Sequence, residues 1–84
     1  MRPYAVYINQ SALDSSPKSG EQRRLISAFV RWLADNPNYT GDFSEKDNQD
    51  RTVFVKVVGR FAVTFWPDHP VAEIKVTHIE LADK

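Results

Sequence analysis

The sequence predicts an α+β fold, in which an N-terminal strand, a helical hairpin and a three-stranded antiparallel meander form one twisted sheet packed on helices. Three observations predict it. Residues 4–9 are rich in β-branched and aromatic side chains, residues 20–35 repeat apolar side chains at helical spacing, and residues 51–81 contain three consecutive strand-like runs. With 84 residues in total, these elements make a single domain spanning residues 1–84.

The helical hairpin consists of a short helix followed by a long one. A Ser-Ala-Leu-Asp capping pattern predicts the short helix over residues 11–15. Ser19 and Gln22 form a second capping pattern, which opens the long helix over residues 20–35 before an Asn-Pro pair ends it. Residues 36–50 are predicted to form a long polar connection. The apolar stripe of the long helix comprises Leu25, Ile26, Phe29, Trp32 and Leu33.

The meander is predicted from runs at 52–58, 60–66 and 71–79, joined by tight turns at Gly59 and at residues 67–70. A two-residue turn at Gly59 and Arg60 sorts the side chains of the first two strands into two faces by alternation. One face carries Phe54, Lys56, Val58, Phe61, Val63 and Phe65, and the other carries Val53, Val55, Val57, Ala62, Thr64 and Trp66.

Both faces of this sheet are therefore largely apolar, although one long helix covers only one of them. We expect the second face to be covered by the short helix, a second copy, a partner segment or the chain's own loop. The aromatic residues of the hairpin are the candidate partner-binding residues, namely Phe54, Phe61, Phe65 and Trp66.

Composition limits the function classes. Lysine and arginine together number 11, as do aspartate and glutamate, so the net charge of zero argues against strong non-specific nucleic-acid binding. There is no cysteine, and the two histidines are far in sequence from any paired carboxylates, so we expect neither a metal site nor a cofactor. No apolar run approaches the length of a membrane span and no signal peptide is recognisable, which predicts a cytoplasmic protein without a membrane partner.

Three basic residues, Arg51, Lys56 and Arg60, are the candidate residues for binding nucleic acid or another target, because they can form a basic rim for phosphate. The alternative is ordinary charge that keeps a sheet edge soluble. His78 alternates with Ile74 and Val76, so its side chain is predicted to share their face, either as a general acid or base or with a structural hydrogen bond.

The run VKVVGRFAVTF resembles the central hairpin of the RelE/ParE family of bacterial toxins, and IKVTHI resembles the last strand of such toxins. The resemblance implies a plasmid-stabilisation-like toxin of a type II toxin–antitoxin system, with an antitoxin that wraps its sheet and helices. The implied targets are the ribosome with its mRNA, or DNA gyrase. A homodimer is a further expected assembly.

In the RelE-like ribonucleases, basic residues on the sheet, often with a C-terminal tyrosine, carry out cleavage. Lys56 falls near one of the lysine positions, but Ala62 stands where arginine is frequent, and no basic-aromatic tail follows His78. The resemblance therefore favours the ParE branch or an inactive relative, acting through protein–protein contacts. The alternatives are a ribosome-dependent mRNA endoribonuclease with the catalytic candidates Lys56, Arg60 and His78, or a non-toxic small interaction module.

Overall fold

A computed structural model describes residues 2–82 of the chain. In chain order the strands and helices are β1 (Ala5–Ile8), α1 (Gln10–Ser15), α2 (Gly20–Ala34), β2 (Phe43–Lys46), β3 (Thr52–Val58), β4 (Phe61–Asp68), a 3-10 turn (His69–Val71) and β5 (Glu73–Leu81). The predicted α+β class is confirmed, with a short and a long helix close to the predicted positions. The predicted cap of α1 is wrong, because the helix begins at Gln10 with Asn9 as its N-cap and Ser11 lies inside it. No helix in the described part of the chain has the length and apolar character needed to cross a membrane.

The five strands of the described region form one mixed sheet in the order β1-β5-β4-β3-β2. The pairs β2–β3, β3–β4 and β4–β5 are antiparallel. Strand β1 runs parallel to β5, with Val6 opposite Ile74. The first strand of the chain therefore lies beside the last strand, and the hairpin of β3 and β4 occupies the middle of the sheet.

Both helices pack on the same face of the sheet. Ser15 on α1 donates a hydrogen bond from its hydroxyl to the carbonyl of Ile79 on β5, at 2.6 Å. The core between the helices and the sheet comprises Ala12, Ile26, Val30, Leu33, Val63, Phe65, Ile74, Val76 and Ile79. The opposite face of the sheet carries no helix, and we call it the open face.

The open face was expected to need cover, and the chain's own loop supplies part of it. Val53 and Val55 lie on this face and are each only 3% exposed. The segment that joins β2 to β3 ends at Arg51, whose guanidinium group lies over the ring of Trp66. The alternative in which α1 covers this face is wrong, because α1 contributes Ala12 to the core on the other side.

Helix α2 begins and ends close to the predicted positions, but two details of the prediction are wrong. Ser19 makes no side-chain capping hydrogen bond, and the side chain of Gln22 reaches to the turn between β3 and β4 instead. The buried stripe of the helix consists of Ile26, Val30 and Leu33, whereas Leu25 and Trp32 are exposed.

Strand β2 was not predicted and lies within the region expected to be a loop. Its four residues are all exposed, and its sequence FSEK lacks an alternating apolar pattern, so periodicity gave no signal. The preceding residues tie this edge to β3. The carboxylate of Asp42 accepts the backbone N–H of Val57 at 2.8 Å, and Gly41, at a φ of 72°, lies against the carbonyl of Val55.

The two predicted turns differ in outcome. Val58 pairs with Phe61, which confirms the two-residue turn at Gly59 and Arg60. The second turn is shorter than predicted, because β4 continues through Pro67 to Asp68. Pro67 is tolerated in the strand because the pairing of β4 with β3 ends at Phe65, so the missing N–H breaks no bond in that ladder.

Candidate functional site

The open face brings together side chains from four segments that are distant in sequence. Tyr7 comes from β1, Trp66 from β4 and Lys75 from β5, and the register places Tyr7 and Trp66 on either side of Lys75. Arg51 reaches the same face from the start of β3. This cluster of two aromatic rings and two cations, together with the neighbouring His78, is the candidate functional site.

Arg51 is held in place by a ring and a carboxylate. Its guanidinium carbon lies 4.1 Å from the centroid of the Trp66 ring, a cation–π geometry. The same guanidinium contacts the Asp47 carboxylate at 2.8 Å and 2.9 Å. Asp47 also accepts the backbone N–H groups of Arg51 and Gln49, and these bonds, led by the one from Arg51, lower the pKa of its carboxyl group.

Lys75 lies opposite Trp66 in the register of β4 and β5, and its side chain is paired as well. Its ammonium group lies 5.5 Å from the centroid of the Tyr7 ring and 2.9 Å from the carboxylate of Glu73. The hydrogen bond to Glu73 raises the pKa of Lys75, so the side chain stays charged at neutral pH. Tyr7, Trp66 and Lys75 line a shallow depression of about 290 Å³ together with Asn9 and Thr77.

The side chain of His78 lies on the opposite face of the sheet from the one predicted. The pairing of β4 with β5 shifts register between Thr64 and Phe65, because β5 accommodates one additional residue, Thr77, in a β-bulge. The bulge breaks the simple alternation, so that Val76 and Ile79 both point to the core while His78 is exposed. His78 therefore lies on the open face, where its Nδ1 atom is 3.1 Å from the hydroxyl oxygen of Thr77.

The surroundings of His78 are polar and contain side chains of both charges. It lines two adjoining depressions of about 220 Å³ and 170 Å³, which share Asp47, Asn48 and Thr77. Asn9 belongs to the smaller of these and also to the depression beside Trp66. The three shallow depressions therefore adjoin one another on the open face, between Trp66 and His78.

The three catalytic candidates do not come together. Lys56 pairs with Val63 of the core and points to the helix side, where its ammonium group lies 3.4 Å from the carboxylate of Asp42. That hydrogen bond raises the pKa of Lys56. Arg60 lies in the β3–β4 turn, its backbone N–H bonded to the Gln22 side chain. His78 is on the other face of the sheet from Lys56.

The four aromatic candidates for partner binding are divided between the two faces. Phe65 is 1% exposed and belongs to the core, with the half-buried Phe54 and Phe61 packed beside it on the helix side. These three rings fill the space between sheet and helices. Trp66 alone among the four lies on the open face, in contact with Arg51.

The charge of the site is balanced. Arg51 and Lys75 each have a carboxylate partner within 3 Å, so neither offers an unpaired cation for a phosphate group. Within residues 2–82 no group of three or more His, Cys, Asp or Glu side chains is placed to hold a metal ion. The arrangement is suited to contact by a polar, partly aromatic surface rather than to charge stabilisation.

Sequence reasoning missed Tyr7, Lys75 and Asp47 as members of this site. Tyr7 and Lys75 meet because β1 is parallel to β5, a pairing of distant strands for which the local sequence carries no signal. Asp47 is placed by its own loop, where it accepts N–H groups two and four residues ahead, a pattern typical of aspartate in turns. This tendency of aspartate to accept N–H groups in turns is the sequence signal that could have indicated Asp47.

Comparison with known proteins identifies the fold. No family model and no curated protein matches this chain. Among solved structures, the crystal structure of the toxin–antitoxin complex RelBE2 from Mycobacterium tuberculosis contains a chain that superposes with a TM-score of 0.63. The match covers 94% of this chain and 98% of that chain, at 15% sequence identity. The protein described here therefore shares the fold of a component of that toxin–antitoxin complex.

Proposed function

We propose that this chain is a toxin-like component of a toxin–antitoxin module, which acts on its target through protein–protein contacts and is neutralised by an antitoxin. One observation carries the proposal. The fold matches a component of the RelBE2 toxin–antitoxin complex over nearly the whole length of both chains. The hairpin sequence VKVVGRFAVTF points in the same direction from the residues themselves.

The open face is the surface we assign to the target. It carries adjoining shallow depressions and presents Trp66 and Tyr7, two rings of the kind that dominate binding energy at protein interfaces. Arg51 and Lys75 hold these rings and are themselves neutralised by Asp47 and Glu73. Such balanced charge suits a protein surface, since binding to nucleic acid gains most of its affinity from unpaired cations at phosphates.

A ribonuclease mechanism is less well supported by the same geometry. General acid–base catalysis needs its groups within hydrogen-bond reach of one substrate. Lys56 and His78 are on opposite faces of the sheet, and Lys56 is bonded to Asp42. Ala62, which lies on the open face, offers no charge to a cleaved phosphate.

The test is tightly controlled expression of the chain in a bacterial host. We expect growth arrest on induction and rescue when the short reading frame next to its gene is co-expressed. Val63→Asp, which places a charge at a fully buried core position, is the control for a chain that cannot fold. Normal growth with soluble, folded protein would overturn the toxin proposal and favour a non-toxic interaction module.

Two sets of variants separate the mechanisms once arrest is observed. The double variant K56A/R60A should still arrest growth, because Lys56 lies on the helix side and Arg60 lies in the β3–β4 turn, outside the proposed contact at Trp66. Loss of arrest with retained folding would instead favour the ribonuclease. Arg51→Ala should relieve the arrest, because the Trp66 ring loses the guanidinium group that holds it in place. Arg23→Ala, the same substitution on helix α2, should not relieve it.

A further inference from the structure

Helix α2 has a second apolar stripe besides the one that packs on the sheet. We call it the outer stripe, and it consists of Leu25, Ala28 and Trp32. Leu25 is 42% exposed and Trp32 is 45% exposed, and Ala28 is exposed between them. With a turn of about 100° per residue, these three positions fall within a sector of about 60° on the helix surface.

Trp32 is exposed but its ring is held in place. It stacks on Phe29 with a centroid distance of 6.2 Å and meets Tyr39 edge to face at 5.0 Å. Phe29 in turn packs edge to face on the buried ring of Phe65 at 5.9 Å. The indole is therefore oriented by the core before any contact forms, so that binding through it loses little side-chain entropy.

The outer stripe is complementary in shape to a second copy of itself. Its residues alternate large, small and large at positions i, i+3 and i+7. When a second α2 lies antiparallel across it, Trp32 of one copy fits over Ala28 of the other and beside Leu25 of the other. The reciprocal contact forms by the same two-fold symmetry, as in ridge-and-groove packing of helices.

The charges beside the stripe select the antiparallel orientation. Arg24 lies near the N-terminal end of the stripe and Asp35 follows its C-terminal end. At about 100° per residue both fall on the same flank of the stripe, about 20° apart around the helix. An antiparallel copy places Arg24 of each chain against Asp35 of the other, whereas in a parallel pair these flanks lie on opposite sides of the contact and neither ion pair forms.

We propose that two copies of this chain associate through antiparallel contact of their outer stripes, with two Arg24–Asp35 ion pairs at its ends. A net charge of zero removes long-range repulsion between the copies. Arg24 already pairs with Glu21 within the chain, and the guanidinium group has enough donors to serve both carboxylates. A contact of one helix pair is smaller than a standard interface, so we expect a dissociation constant of about 10–100 μM.

Sedimentation equilibrium of the full chain between about 5 μM and about 500 μM measures this constant directly. The mass should rise from the 9.6 kDa of one copy towards that of two copies. R24E and D35R should each weaken association at least about tenfold, because each opposes like charges across the symmetric contact. The double variant R24E/D35R should return to within about threefold of the wild-type constant, since it restores both pairs with exchanged signs.

Arg23→Glu is the matched control, because Arg23 belongs to the groove between α1 and α2 and not to the outer stripe. It should leave association within about threefold of wild type. Circular dichroism confirms that each variant is folded. A wild-type chain that stays monomeric throughout the range would overturn the proposal, and so would a double variant no better than its parents.

Discussion

The side chain of Gln22 lies directly over the backbone of Gly59 and connects the first turn of α2 to the β3–β4 hairpin. Its amide nitrogen donates to the carbonyl of Val58 at 2.8 Å, and its carbonyl oxygen accepts the N–H of Arg60 at 3.0 Å. A side chain at Gly59 would place its Cβ 2.5 Å from the Gln22 amide nitrogen. The contact between helix α2 and the turn therefore depends both on the Gln22 side chain and on the absence of a side chain at Gly59.

Replacing Gln22 with alanine should lower the free energy of unfolding by roughly 1–2 kcal/mol, because two backbone groups lose their partners and one connection between helix and sheet is removed. Urea denaturation followed by circular dichroism measures the loss. Gln49→Ala, in the exposed loop before β3, is the control and should change stability little.

Gly59→Ala provides an independent check of the same contact. It should displace Gln22 in addition to straining a φ of 62°, whereas Gly20→Ala strains a φ of 84° with no atom within 4 Å of the new Cβ. The two alanine variants should lose different amounts of unfolding free energy when Gln22 is present, and similar amounts in the Q22A background. Equal costs in the wild-type background would contradict this account.

Neighbouring aromatic residues on β4 should respond very differently to truncation. Phe65→Ala removes a ring that is 1% exposed and contacts both sheet and helices, so we expect a loss of about 3–5 kcal/mol. Trp66→Ala removes a half-buried ring on the open face and should cost less than half of that. Equal losses in chemical denaturation would mean that the open face is as important to folding as the core.

The Asp42 carboxylate should make stability fall in acid. The backbone N–H of Val57, followed by Lys56, lowers the pKa of this carboxyl group below its ordinary value of 3.8. A carboxyl group whose folded pKa is lowered stabilises the protein above its unfolded pKa, and the contribution is lost as the pH falls through the folded pKa. Thermal melts between neutral pH and the acid range should therefore show a decline that begins near pH 4.

Asp42→Asn should flatten that decline, because the amide carries no charge to be neutralised. The variant should be less stable than wild type at neutral pH, and the two should converge in acid. Asp50→Asn serves as the control for the loss of one acidic group elsewhere. If D42N melts in parallel with wild type at every pH, the Asp42–Val57 bond contributes nothing to the acid response.

Arg51 should govern the environment of Trp66. In a W32F background Trp66 is the sole tryptophan, so its fluorescence reports on this ring alone. Arg51→Met keeps the apolar stem but removes the guanidinium group, and we expect a red-shifted emission and a loss of about 0.5–1 kcal/mol. Unchanged emission would mean that the ring and the guanidinium do not interact in solution.

The sequence predicted the elements whose signal is local. Helix α2, the β3–β4 hairpin and its two-residue turn follow from spacing and from one glycine, and all three are present, although the buried stripe of α2 is centred on Ile26, Val30 and Leu33. Strand β2 carried no such signal, because FSEK lies at a sheet edge with all four residues exposed. It forms through Asp42 and Gly41, which attach to β3 by contacts that depend on the folded arrangement.

The candidate site was predicted in fragments. Arg51, Trp66 and His78 were each named, but for different reasons and with His78 on the wrong face. A single inserted residue at Thr77 reverses that face, and alternation alone cannot locate a bulge. Tyr7 and Lys75 required knowledge of which distant strands become neighbours, which is decided by the tertiary fold.

The parallel pairing of β1 with β5 also sets the order in which this chain can fold on the ribosome. Among the described strands, β1 is made first and has β5, made last, as its neighbour. The apolar side of α2 likewise emerges before the strands that bury it. The nascent chain therefore presents the apolar side of α2 before its sheet exists, and the pairing of β1 with β5, a long-range contact, forms only after β5 has been made.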